Sequence, residues 1–581
     1  MYIYRVKVKN FRNICDLDWK PNKDLNILFG PNGSGKSNLA IALNLLFNGN
    51  FNDDIFELSD FYHCNKDNNI TIECWLNDIG TFDTKVSEFI QHINKKDEIV
   101  EDDTNEELNT VLIIRLTNEG MQKKWQIIQS TGVTDLTSST RKEFRYDYLS
   151  SDRLPEKDIN LNKSGLFYKN TKTNNVLWEK LNEVSRQAVT ETNDKIRDNP
   201  DLEKALNKIF KDNKNSFFNS VSIGIKDYLA SSYFNSGFQF ITNHDDYAIP
   251  LLKHSKGKQN LFLFDLILNS LDENSMVFIE EVEQNLEPIN QKLVAIEFKD
   301  KVNGQLFITS HSASLLEYFK LEDMFFVHEG EIKKIIDIEN EDEQKFLQQV
   351  LKFDKHDFIS SLMSSKVILC EGKSEYNTIP IYSEIEDNCL LKINIYISKV
   401  CGKGNFSSYL KIYKKLNIPT YLLLDNDSDN SHIINSCKEL TNIIFLQEND
   451  YEDIIYPSLN GICGELEKLI PFSSIKDFLK DFPNSTDGRR DKYSNINMQI
   501  AKLNFDIMNC YEDLYSHKDL FILVLHQKFV SDYYSLYIAN LLVDKNTMPE
   551  QYKNLFGYLS NKNDLKCLGN ENNIKLLGEK C

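Results

Sequence analysis

The sequence predicts an α/β protein built from two parallel-sheet domains. Two observations predict it. A glycine-rich phosphate loop near the start joins an apolar strand to an amphipathic helix, and two later apolar strands end in charged residues. After about residue 355, short apolar strands and helical patterns alternate again. At 581 residues the chain is too long for one core, so several domains are expected.

The first domain starts from "LNILFGPNGSGKSNLAIALNLLF". Residues Gly30 to Ser37 read G-x-x-x-x-G-K-S, between an apolar strand and a segment of helical periodicity. The backbone N–H groups around Asn32, Gly33 and Gly35 are expected to turn towards phosphates. Lys36 is expected to reach the β- and γ-phosphates, and Ser37 to bind Mg²⁺. "NSMVFIEEVEQNLEP" supplies the partner strand, Met276 to Ile279, followed by Glu280, Glu281 and Glu283. Glu280 is assigned to the Mg²⁺ shell, and Glu281 is assigned as general base for water. A third strand in "GQLFITSHSASLL" ends at His311, placed to sense the γ-phosphate.

This set resembles ABC-type ATPases, in the branch shared with SMC, RecF and Rad50 proteins. "HSKGKQ" resembles their signature motif, with His254 where Leu is common, and "QNLEP" resembles their D-loop. The resemblance implies at least a homodimer, in which Ser255 and Gly257 of one copy close over the nucleotide of the other. Lys36 and Glu280 are far apart in sequence, so residues about 80–235, charged and mixed, are expected to form an inserted, partly helical dimerisation region. The ATPase domain is then 1–355.

The second domain is expected over 356–581, with a C-terminal helical extension. "SSKVILCEGKSEY" reads as a strand ending at Glu371 and Gly372, followed by a helix. "TYLLLDNDSDNS" reads as a strand ending at Asp425, Asp427 and Asp429. Alternating carboxylates at a strand end repel one another, and a divalent cation relieves this. On this stretch alone a metal site and a solvated acidic loop fit equally. An EF-hand is excluded, because its sixth and twelfth positions would be Asn430 and Ser436. Strand ends are where ligands bind in parallel sheets, so Glu371 and Asp425 can meet. This pairing resembles the TOPRIM domain.

An ABC-type ATPase followed by a TOPRIM domain resembles the OLD (overcoming lysogenisation defect) nucleases, including the Gabija antiphage nuclease subunits. The resemblance implies an ATP-regulated, Mg²⁺- or Mn²⁺-dependent DNA endonuclease acting against phage. It implies Glu371, Asp425 and Asp427 as metal ligands, with Asp450 and Glu452 from "FLQENDYEDIIYP" for a second ion. Glu448 and Asp453 are the alternatives there. Lys528 is the match to the family's late lysine, and Glu375 is either an outer ligand or a solvated face. Related systems pair the nuclease with a UvrD-type helicase or a retron reverse transcriptase and its RNA. Two other functions fit the motifs: an ATP-switched DNA-binding scaffold with an inactive TOPRIM domain, and a topoisomerase- or primase-like enzyme.

Composition limits these readings. The net charge of −20 excludes a generally basic nucleic-acid coat but not a local groove on double-stranded DNA. "DGRRDKY", with Arg489, Arg490 and Lys492, is the densest late basic cluster. No stretch reaches the ~18 apolar residues of a membrane span. The eleven cysteines form no C-x-x-C pair, which predicts reduced thiols in the cytoplasm.

Overall fold

The structure is a computed structural model. It describes residues 1–49, 55–79, 84–100, 109–141, 143–153, 159, 177, 180, 199–210, 221–225, 238–244, 247–301, 303–337, 340–384, 390, 392–400, 402–424, 431–437, 442–445, 451–482, 496, 499–500, 508–529, 532–560 and 574–576. The chain divides into two compact units, Met1–Asp337 and Ile338–Cys581.

The first unit is built on a six-stranded sheet. Its strands are β1 (Leu25–Phe29), leading through the phosphate loop to helix α1 (Lys36–Asn48), then β2 (Tyr146–Leu149), which precedes helix α2 (Lys256–Ser270). Strand β3 (Met276–Ile279), helix α3 (Pro288–Lys301) and strands β4 (Gln305–Ser310), β5 (Met324–His328) and β6 (Glu331–Lys334) follow. The spatial order is β2-β3-β4-β1-β5-β6, parallel from β2 to β5. Every residue of β1, β3 and β4 is buried, the pattern of strands covered on both faces.

A second, antiparallel sheet lies over α1. Its path runs from Ile14–Trp19 through Tyr2–Phe11, Thr71–Asn77 and Asn109–Glu119. Leu39, Leu43 and Leu46 of α1 share one core with Val6, Val8, Ile72 and Ile114 from this sheet, and with Phe278 and Phe307 from the parallel sheet. The helix is therefore held from two sides, which fixes the loop at its N-terminus. Gln305 joins the sheets: its side chain accepts from Ile3 N–H at 2.7 Å and donates to the Ile3 and Asn22 carbonyls. On the other flank, α2 packs on α3 through Phe264 and Phe298, ring centroids 5.5 Å apart.

The stretch from about 80, expected as a partly helical insertion, contributes strands of both sheets in its first part. Asn109–Glu119 and Gln122–Gln129 pair antiparallel, and Tyr146–Leu149 is β2. The expected helix from Val176 onward lies almost entirely outside the described residues.

The second unit places helix α4 (Lys355–Leu362) before strand β7 (Lys366–Cys370), helix α5 (Lys373–Tyr382), and strands β8 (Ile395–Lys399), β9 (Thr420–Leu424) and β10 (Asn442–Phe445). Helix α6 (Tyr451–Ile455) follows, and strand β11 (Ile574–Leu576) is the last of the described elements. The sheet is wholly parallel, in the order β8-β7-β9-β10-β11. On one face, Phe358 of α4 meets Tyr409 and Tyr413 with ring centroids 6.0 Å apart. On the other, Ile368, Ile397 and Tyr421 share a core with helices from the C-terminal third, through Leu520, Val524 and Phe556. Asp357, buried on α4, accepts from Ser398 at 2.6 Å and Tyr396 at 3.0 Å, and burial pushes its carboxyl up.

Gly304 sets the spacing of β3 and β4. At φ +143° it occupies backbone space that side chains rarely adopt, and a Cβ there would lie 2.6 Å from the Asp272 carbonyl oxygen and 2.7 Å from that of Ser275. Gly304→Ala is expected to destabilise the protein by about 3 kcal/mol, from strain plus steric clash. Urea midpoints of parent and variant measure it.

Candidate functional site

Three strand ends meet at the phosphate loop. The register sets Ser310 beside Phe29, and Ile279 beside Ile308. The next residues along the three strands are Gly30, His311 and Glu280. The strand carrying His311 lies between the other two, so its end faces both the loop and the carboxylates.

Lys36 is 5% exposed. Its ammonium donates to the Gly30 and Pro31 carbonyls at 2.9 Å and to Ser34 Oγ at 3.1 Å. Burial lowers its pKa to about 8, and Glu283, Glu281 and Glu280 act against this through space. A buried cation that bonds no carboxylate among the described residues suits the negative oxygens of a nucleotide. Gly33 and Gly35 have φ of +76° and +115°, which opens their backbone as the phosphate loop requires. Gly35 is also the residue before the first turn of α1, so the helix N-terminus points into the loop.

Glu280 is 2% exposed. One carboxylate oxygen accepts the Ser151 N–H at 3.1 Å, and the other, Oε1, makes no hydrogen bond among the described residues. Burial raises its pKa, against the Ser151 N–H and the neighbouring Ser37 and Tyr148 hydroxyls. An oxygen-only donor pair, Ser37 and Glu280, with one orphaned buried carboxylate oxygen, fits the Mg²⁺ of a nucleotide. Glu281 has φ +44° and its N–H donates to Thr309 Oγ1 at 2.9 Å. Glu283 accepts the His311 N–H at 2.6 Å. Burial and Lys36 lower the His311 pKa, and the Gly30 carbonyl supports its protonated ring.

The signature-like segment opens α2. Ser255 caps the helix by accepting the Lys258 N–H at 3.4 Å. A Cβ on Gly257 would lie 2.5 Å from the Asn285 carbonyl oxygen, so the helix and the D-loop-like turn touch there. Gln259 ties back to the Leu252 and His254 carbonyls at 3.1 and 2.8 Å.

In the second unit, β7 and β9 are neighbours with Leu369 opposite Leu422, and Glu371 and Leu424 each follow two residues on. Asp425, Asp427, Asp450 and the cluster Arg489, Arg490 and Lys492 lie outside the described residues. Glu375 is buried, so the solvated-face alternative does not hold. Burial pushes up the Tyr451 hydroxyl, hydrogen bonds with Tyr382 and Thr378 act against this, and Glu452 and Glu375 add to it through space. That hydroxyl is 3.1 Å from the Tyr382 hydroxyl. Lys528 sits with Nζ 4.3 Å from the Phe478 ring centroid. Among the described residues, no three His, Cys, Asp or Glu side chains converge as a metal cage.

Residues 1–316 match the AAA ATPase domain family, and residues 362–427 match the overcoming lysogenization defect protein-like TOPRIM domain. The chain belongs to the OLD family of ATPase–TOPRIM proteins. A 43-residue stretch is 42% identical to the DNA replication and repair protein RecF of Prosthecochloris aestuarii (strain DSM 271 / SK 413), and covers 7% of this chain and 12% of that protein. Among solved structures, an SMC head bound to the C-winged helix domain of ScpA matches with TM-score 0.39 and 15% identity, over 57% of this chain and 97% of that one. An Smc head with an extended coiled coil, bound to the C-terminal domain of ScpA from Pyrococcus furiosus, matches with TM-score 0.34 and 11% identity, over 57% and 95%.

The structure of this OLD-family chain adds residues that the motifs did not reveal. Asn13 donates to the Gly33 carbonyl at 3.1 Å and accepts from Asn38 at 2.8 Å, buttressing the phosphate loop. Tyr148, Ser151 and Thr309 surround the Glu280–Glu281 pair. None stands in a recognisable motif. The available signal was positional: Ser151 follows an apolar strand, and Thr309 precedes His311 by two. Among the described residues no helix is long and apolar enough to cross a membrane.

Lys36→Ala is expected to weaken ATP binding roughly 10²-fold or more, the scale for removing one partner of a buried charge contact. Titration with a fluorescent ATP analogue checks it.

Proposed function

We propose that this chain is an ATP-regulated, divalent-metal-dependent DNA endonuclease acting in antiphage defence. The observation that carries this is the parallel register of β7 with β9, in a chain that also holds a complete phosphate loop. It sets the strand that runs into Glu371 beside the strand that runs into the aspartate series. Carboxylates at adjacent strand ends are the donor set that hard divalent cations take.

In the ATPase half, Lys36 would neutralise phosphate charge, and Ser37 and Glu280 would hold the nucleotide's Mg²⁺. Glu281 takes the proton of the attacking water, and His311 contacts the γ-phosphate. Ser255 and Gly257 act on the nucleotide of a second copy, in a homodimer or larger homo-oligomer. In the TOPRIM half, Glu371, Asp425 and Asp427 form one metal-binding group, and Asp450 and Glu452 the other. Glu375 supports them and Lys528 is the cation for the scissile phosphate. Mg²⁺ or Mn²⁺ bound there supplies charge neutralisation and an ionised water. Double-stranded DNA is the substrate, in the cytoplasm, with a UvrD-type helicase or a retron reverse transcriptase as the partner class.

Three variants test the division of labour. Glu281→Gln is expected to bind ATP and accumulate an ATP-bound dimer, seen by size-exclusion chromatography. Glu371→Ala and Asp425→Ala are expected to lose plasmid nicking while phosphate release from ATP continues. Normal nicking by Asp425→Ala would sink the nuclease assignment. DNA binding should also weaken steeply with added salt, as counterion release requires.

A further inference from the structure

One buried cation beside the nucleotide site has no part in the phosphate chemistry described above. Arg153, 8% exposed, follows β2. Its Nη1 donates to the Glu280 carbonyl at 2.6 Å and its Nη2 to the Glu281 carbonyl at 3.0 Å. Its Nε donates to Asn260 Oδ1 at 3.2 Å, and its guanidinium carbon lies 5.4 Å from the Phe264 ring centroid. Asn260 and Phe264 both belong to α2. Asn260, 1% exposed, donates in turn to the Gln284 carbonyl at 2.9 Å.

This geometry bears on the backbone of Glu281. In an extended strand, successive carbonyls point to opposite sides. One planar fork can take two consecutive carbonyls only where the chain turns, and Glu281 makes that turn at φ +44°. A non-glycine residue in this region carries strain, which persists only where its surroundings hold it. The holding groups include Arg153 on both carbonyls, the Gln284 N–H on the Glu281 carbonyl at 2.9 Å, Thr309 Oγ1 on the Glu281 N–H, and the Thr309 carbonyl on the Val282 N–H at 3.2 Å. A lysine at 153 would present a point charge and could not span both carbonyls in plane.

We propose that Arg153 is a positioning residue for ATP hydrolysis. Its fork holds the Glu280–Glu281 backbone so that the Glu281 carboxylate is aimed, and through Asn260 it ties that aim to helix α2. The inference rests on the reading of Glu281 as general base. Helix α2 begins at the Ser255–Gly257 segment, which also packs against Asn285 beyond the same turn. A shift of α2 therefore moves the base, and the state of the signature-like segment governs the rate of hydrolysis.

The test is steady-state ATP hydrolysis by the full chain and its Arg153→Ala, Arg153→Lys, Asn260→Ala and Glu281→Gln variants. Arg153→Ala is expected to lose roughly 10²-fold in kcat, the scale of a small misplacement at a reacting centre. Its KM for ATP should stay within about twofold, because ground-state binding is untouched. Millimolar guanidinium chloride should restore part of the rate to Arg153→Ala, and sodium chloride should not. Arg153→Lys should remain impaired, and Asn260→Ala should show a smaller kcat loss without guanidinium rescue. Parental kcat in folded Arg153→Ala, with Glu281→Gln inactive, would overturn the role of Arg153 and leave the base in place. Parental hydrolysis by Glu281→Gln would instead overturn the base. If Arg153→Ala and Arg153→Lys both fail to fold by circular dichroism, the arginine serves the core and the inference is overturned.

Discussion

The nucleotide site depends on keeping opposite charges buried and close without letting them neutralise one another. Lys36 is 5% exposed at the start of α1 and Glu280 is 2% exposed at the end of β3, with the strand that ends at His311 between β1 and β3. In such surroundings charges interact strongly, and an unpaired one is costly. A direct ion pair would quench both. The lysine is instead bonded to loop oxygens, and one Glu280 oxygen to a backbone N–H, with the Ser37 and Tyr148 hydroxyls nearby. Neutral groups thus bond the lysine and one oxygen of the carboxylate, which leaves both charges available under the proposed roles. The rigidity this needs comes from α1, packed between two sheets, and from the fully bonded Gln305 that joins them.

The same logic recurs in the second unit. A wholly parallel sheet brings all of its strand ends to one edge. Charged groups there can face outward while the strands behind them stay apolar and covered. Glu375 shows how the edge is organised. It is buried on α5, and with Glu452 it acts on the Tyr451 hydroxyl at the start of α6. A Cβ on Gly372 would lie 3.1 Å from Glu375 Oε2, so this carboxylate stands beside the residue that follows Glu371.

What was legible in the sequence was what local pattern determines. The runs "LNILF", "MVFI" and "QLFITS" read as buried strands and are buried throughout. The strand–loop–helix setting of Lys36 followed from spacing alone. The antiparallel strands over 109–129 were not legible, because a charged, mixed stretch gains its order from pairing with Thr71–Asn77 and from burying one face on α1. Glu375 could not be placed from its own helix either, since its burial depends on contacts made far along the chain. Arg153 was invisible for a related reason. Two of its partners are backbone carbonyls, which have no residue type to recognise.

Two phosphate chemistries in one chain are separate in this account: one centred on Lys36 and Glu280, the other on the strand ends after Cys370 and Leu424. Counting bound Mn²⁺ by electron paramagnetic resonance, with and without a non-hydrolysable ATP analogue, tests that separation most directly. The account predicts that Glu280→Ala loses the ion that appears only with nucleotide and keeps the rest. Glu371→Ala should lose nucleotide-independent ions and keep the nucleotide-dependent one. Unchanged nucleotide-independent binding by Glu371→Ala, or loss of the nucleotide-dependent ion from it, would contradict the account.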